Sequence, residues 1–78
     1  MLRKRSVTLQ GHSTSVSIED QYWAELKRMA ADAGLSVATL IERIDQTRGA
    51  ANLSSAIRLA VLADLKRQLA ARASANGS

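Results

Sequence analysis

The residues of this chain best equipped for chemistry stand early and are of few kinds. Arg3, Lys4 and Arg5 are consecutive, and the stretch "HSTSVSI" sets Ser13, Ser15 and Ser17 at alternate positions after the single histidine, His12. Guanidinium and ammonium groups neutralise polyanions such as nucleic-acid phosphates, which supplies affinity without sequence information. Short hydroxyls donate or accept at base edges, weakly alone and better through water. Nucleophilic catalysis needs more, because a serine requires a base and the base an orienting partner. Nothing local offers His12 such a partner, so it reads as a turn residue, and the chain is not expected to be an enzyme. Glu42 and Asp45 flank Arg43 and read as a solvated face rather than a metal pair. With no cysteine and one histidine, disulfides and a Cys/His zinc site are excluded, and no cofactor or small-molecule substrate is expected.

A row of alternating serines needs a strand to hold it. In "KRSVTL" Val7 and Leu9 share a face opposite Lys4, Ser6 and Thr8, and in "STSVSI" Thr14, Val16 and Ile18 share a face opposite the serines. Between them, Gln10-Gly11 suits a two-residue hairpin loop, since Gly11 tolerates a positive φ. That loop pairs Leu9 with His12, Thr8 with Ser13, Val7 with Thr14, Ser6 with Ser15, Arg5 with Val16 and Lys4 with Ser17. In this register the apolar residues gather on one face and the serines, Thr8 and Lys4 on the other; a slip of one residue scrambles both. Strands are therefore expected over about 4–9 and 13–18; a rival arrangement keeps residues 1–10 as a flexible arm and uses only the second strand.

Helices account for the rest. "SIED" has the spacing of a capping box, which starts a first helix over 19–33 with Tyr22, Trp23, Leu26, Met29, Ala30 and Ala33 along one stripe and Gly34 to end it. Ser36 caps a second over 36–48, facing inward through Val37, Leu40, Ile41 and Ile44 and closed by Gly49. A third, over 53–71 and started by Asn52 or Ser54, carries a broad stripe of Leu53, Ile57, Val61, Leu62, Leu65 and Leu69. Residues 1–72 form one domain and 73–78 a flexible tail. So apolar a third helix, in so short a chain, implies burial against a second copy.

The chain carries +4 overall, unevenly. Residues 1–18 hold three bases and no acid (+3), residues 19–48 six acids against four bases (−2), and residues 49–78 four bases against Asp64 (+3). A basic start beside a mildly acidic middle suits a polyanion met by the N-terminal segment. No secretory-length apolar run follows the basic start, and no stretch is long enough to cross a bilayer, so a soluble cytoplasmic protein with no membrane partner is expected.

The order strand, helix, "GLS" turn, helix resembles the ribbon-helix-helix family of bacterial DNA-binding proteins, the group that includes the Arc and methionine repressors. "RSVTL-GH-TSVSIED-W" and "NLSSAIR" resemble its short uncharacterised members most closely, over roughly residues 3–66. The resemblance implies a mainly helical fold with a short β-ribbon, and an intertwined homodimer in which one strand of each chain pairs antiparallel. To that fold the sequence adds an extra N-terminal strand and a third, C-terminal helix. It implies sequence-specific binding of double-stranded DNA, with transcriptional regulation as the role. Ser13, Ser15 and Ser17 would face bases, and Ser36 and Val37 at a helix start would hold a phosphate, with Arg3, Lys4 and Arg5 on neighbouring phosphates. Better-known members carry longer side chains on the ribbon. Two alternatives are an antitoxin, for which only residues after about 70 are free to bind a toxin, and a dimeric protein-interaction module without DNA binding.

Overall fold

The computed structural model describes residues 2–77. In chain order its elements are strands β1 (Leu2–Leu9) and β2 (His12–Glu19), then helices α1 (Asp20–Ala33), α2 (Val37–Thr47) and α3 (Leu53–Gly77). The two strands form one antiparallel sheet whose register is the one read from the sequence, from Leu9–His12 at the turn to Lys4–Ser17, and pairing continues through Arg3–Ile18 and Leu2–Glu19. Both strands are thus longer than the expected 4–9 and 13–18. The loop is a turn with both central residues at positive φ, Gln10 at 52° and Gly11 at 81°, the twist that suits a tight hairpin. Gln10 bears the strain of that conformation, and its amide donates to Glu42 Oε1 at 2.8 Å, which ties the turn to α2.

One face of the hairpin lies on the helices. Leu9, Val16 and Ile18 join Leu26 of α1, Ile41 and Ile44 of α2, and Ala56, Ile57 and Val61 of α3 in a single core. Gly34, at φ 70°, ends α1 as expected: its amide donates to Ala31 O at 3.2 Å and that of Leu35 to Ala30 O at 2.8 Å, the paired bonds of a left-handed helix stop. Ser36 Oγ caps α2 by accepting from the Thr39 amide at 3.1 Å, and Asn52 Oδ1 caps α3 by accepting from the Ser55 amide at 2.8 Å.

Three expectations change. The capping box does not form: Ser17 lies within β2, α1 starts at Asp20, and Glu19 precedes it with no side-chain cap bond. The Glu19 carboxylate is instead held by Arg58 at 2.8 Å. Ala33 is exposed, since Gly34 turns the chain away there. Helix α3 passes its expected end at 71 and reaches Gly77, carried by alanines at 70, 71 and 73, which are strong helix formers. The expected tail at 73–78 is therefore helical as far as Gly77, and Ser78 lies outside the described residues.

Helix α3 buries Ala56, Ile57 and Val61, packs Leu53 against the core and leaves the later part of its stripe bare. Leu59 is 62% exposed and Leu69 65%, with Leu62 and Leu65 also exposed. Among the described residues, no helix is long and apolar enough to cross a membrane.

Candidate nucleic-acid interface

The outward face of the ribbon is built from both strands. Lys4, Ser6 and Thr8 of β1 stand opposite Ser17, Ser15 and Ser13 of β2, and all six are exposed. Side chains alternate across a strand, so burying Val16 and Ile18 obliges the serines to point away from the core. The sequence reasoning placed all six on this face and took Ser13, Ser15, Ser17 and Lys4 as DNA-binding residues. Ser6 and Thr8 belong to the same face, and the pairing register was the signal that could have added them to the site.

The three basic residues divide. Lys4 stands on the hydroxyl face with no acidic partner among the described residues. Arg3 and Arg5 point to the other face and share one carboxylate: Arg3 Nε lies 3.5 Å from Asp20 Oδ2 and Arg5 Nη2 3.2 Å from Asp20 Oδ1. Arg5 is the more enclosed, its side chain 29% exposed against 65% for Arg3, and its guanidinium lies 4.7 Å from the centre of the Trp23 ring. Trp23 is half-buried between the ribbon and the helices, and Arg5 covers it. The Asp20 pairing was invisible in the sequence, which offered no reason to choose it over the other acids between 19 and 48.

The backbone of β2 has a further neighbour. A two-residue loop makes Leu9–His12 a hydrogen-bonded pair, and by alternation so are Val7–Thr14 and Arg5–Val16. The serine pairs lie between them, so the amides and carbonyls of Ser13, Ser15 and Ser17 point to the outer edge of β2. The first turn of α3 occupies that edge: Ser54 Oγ donates to Ser17 O at 2.8 Å. Asn52, Leu53, Ser54 and Ser55 line a cleft there with Ser15, Val16 and Ser17. Ser36 and Val37, the expected phosphate holders, begin α2 and line neither cleft bordering β2. His12 and Glu42 share the other of these clefts, which holds no metal-binding cluster among the described residues.

Two ion-pair groups fix the frame behind the ribbon. Arg58 bonds Glu19 and lies over the Tyr22 ring, clamping α3 to the junction of β2 and α1. The Glu19 carboxyl is held below its ordinary range by its own backbone amide and then by Arg58. Arg28 of α1 donates to Asp64 of α3 at 2.7 Å, and to Glu25 and Asp32 of its own helix. The Asp64 carboxyl is lowered chiefly by that bond from Arg28.

A two-stranded antiparallel ribbon presenting one polar face, followed by capped helices, defines a class, and the comparison agrees: the ribbon-helix-helix domain model matches residues 2–65, and the chain belongs to that family. Among solved structures it is similar to an uncharacterized protein from Bordetella pertussis Tohama I, with a TM-score of 0.77 and 38% sequence identity. That similarity covers 92% of this chain and 62% of the Bordetella chain. No curated protein matches.

Proposed function

We propose that this protein binds double-stranded DNA by laying the hydroxyl face of its β-ribbon in the major groove, and that it regulates transcription. One observation carries the reading: five hydroxyl side chains and Lys4 form a single exposed face on a ribbon whose opposite face packs Leu9, Val16 and Ile18 into the core. The major groove admits a two-stranded ribbon, where serine and threonine address donors and acceptors alike and Lys4 can reach guanine or a phosphate. Helix starts with unfilled amides, at Ser36–Val37 and at Asn52–Ser54, are available to backbone phosphates. The family resemblance supports a homodimer, and the exposed leucines of α3 give a second copy an apolar surface to cover.

A fluorescence-anisotropy titration against mixed-sequence duplex tests the reading. Saturable binding that weakens as salt rises is expected, and genomic DNA recovered on the protein then gives the operator. A flat titration at low salt refutes it. The exposed Leu65 and Leu69 favour a second reading, an antitoxin or protein-interaction module whose partner packs on α3; recovery of a stoichiometric protein partner in place of DNA decides for it.

A further inference from the structure

Strands β1 and β2 contain one acidic residue between them, and it stands on the face that would read DNA. Glu19 ends β2 two residues beyond Ser17, so alternation places it in the outward row of Ser13, Ser15 and Ser17, opposite Leu2 of β1. Resting on the duplex-binding reading above, we propose that Arg58 acts in DNA binding through Glu19, as a charge mask that lets a row ending in a carboxylate lie against a polyanion.

Three observations lead there. The contact is close and charge-assisted: Arg58 Nη2 lies 2.8 Å and Nε 2.9 Å from Glu19 Oε1, so two donors converge on one oxygen. The mask is also held in place. Its guanidinium lies 5.8 Å from the centre of the Tyr22 ring, and one turn earlier on α3 Ser54 Oγ donates to Ser17 O at 2.8 Å. Four residues of helix rise about 6 Å and two residues of strand about 6.8 Å, so positions 54 and 58 meet positions 17 and 19 in step. Finally, Arg58 comes up to the outward side, where it shares a cleft with Leu2, Ser15 and Ser17, all three exposed.

The carboxylate has no competing task. Glu19 precedes α1 but makes no side-chain cap bond. Its own backbone amide and then Arg58 hold it below the ordinary carboxyl range, so it is ionised at neutral pH. Unmasked, it would oppose phosphates lying within a Debye length, about 10 Å at 0.1 M salt. Masked, the end of the row is neutral, and Lys4 is left as the net charge of the hydroxyl face.

A cycle of charge variants tests the mask, read by anisotropy against a mixed-sequence duplex of about 20 bp, two helical turns. An unmasked carboxylate cancels about one phosphate contact and flattens the dependence of log K on log salt by about 0.9. R58Q is therefore expected to bind about 5-fold more weakly than wild type at about 50 mM salt, and about 1.5-fold more weakly at about 200 mM. E19Q/R58Q removes the carboxylate as well and should return to within about 2-fold of wild type, where R58K, which keeps the charge, should also lie. As a control, R67M makes the same change of net charge about 20 Å along α3 from Ser54 and should cost less than about 2-fold.

A double variant as weak as R58Q overturns the proposal, because an arginine that touches phosphate or only braces the fold is not restored by losing Glu19. An R67M loss equal to that of R58Q also overturns it. Should R58Q fail to fold by circular dichroism, E19Q alone decides. With the acid gone and Arg58 released, its salt slope should steepen by about 0.9, and an unchanged slope refutes the mask. A wild-type chain that binds no duplex removes the reading itself, whereas wild-type binding without restoration in the double variant removes the mask alone.

Discussion

Replacing Asp20 with asparagine separates the structural work of the basic residues from the DNA contacts proposed for them. Asp20 holds Arg3 at 3.5 Å and Arg5 at 3.2 Å on an exposed surface, where such pairs contribute about 0–1 kcal/mol. It also stands in the first turn of α1, where a carboxylate contributes about 0.3–1 kcal/mol against the helix dipole. The fold should therefore survive D20N with a loss of about 1 kcal/mol, or a melting temperature lower by about 4–8 °C for a domain of this size. DNA affinity should move the other way. Arg3, mostly exposed, is released to a phosphate, while Arg5 stays on Trp23 at 4.7 Å. One added phosphate contact steepens the dependence of log K on log salt by about 0.9. Across a rise from about 50 to about 200 mM salt, the variant then loses about 3.5-fold more affinity than wild type. Anisotropy titrations at several salt concentrations read this slope. An unchanged slope with unchanged affinity would show that Arg3 reaches no phosphate, and a slope steeper by nearly two units would show that Trp23 does not retain Arg5.

Other expectations follow from the same geometry. Lys4→Ala should weaken binding to every duplex and flatten the salt slope by about one unit with no change in melting temperature; a preserved slope removes Lys4 from the interface. Gly34→Ala meets no neighbour within 4 Å, so its cost is the left-handed φ of 70° alone, about 1–2 kcal/mol in thermal unfolding. The Asp64 carboxyl lies below its ordinary value because Arg28 bonds it in the folded state. Its contribution is complete above the unfolded value of about 3.9 and is lost as pH falls through the lower folded value. Melting temperatures taken downward from neutral pH should fall off below about pH 4 in wild type and less steeply in Arg28→Met. Leu69→Glu should weaken self-association in sedimentation without lowering the melting temperature, because Leu69 is 65% exposed and outside the core.

The hairpin was legible because two constraints met in one short stretch: a loop that admits positive φ, and a register that sorts apolar from hydroxyl side chains. Local signals of this kind also found Gly34, Ser36 and Asn52, each of which acts within a few residues of itself. What escaped was decided across the chain. Ser17 looked like a cap because Asp20 follows it at the spacing of a capping box, yet its carbonyl is claimed by Ser54, 37 residues away, while Glu19 serves Arg58, 39 away. Arg5 read as one of three like basic residues because charge is visible in a sequence and the Trp23 ring beneath it is not. Helical periodicity marked Leu62, Leu65 and Leu69 as one apolar stripe with Ile57 and Val61, but periodicity does not say how far the body of a single chain extends along that stripe.

The seat of Arg5 on Trp23 has a practical side. Trp23 is the only tryptophan in the chain, and it lies where the first strand meets the first helix. Its emission is therefore an unlabelled optical gauge of whether that strand is seated, readable in free protein, on DNA or during unfolding, with no dye attached near the surface under study.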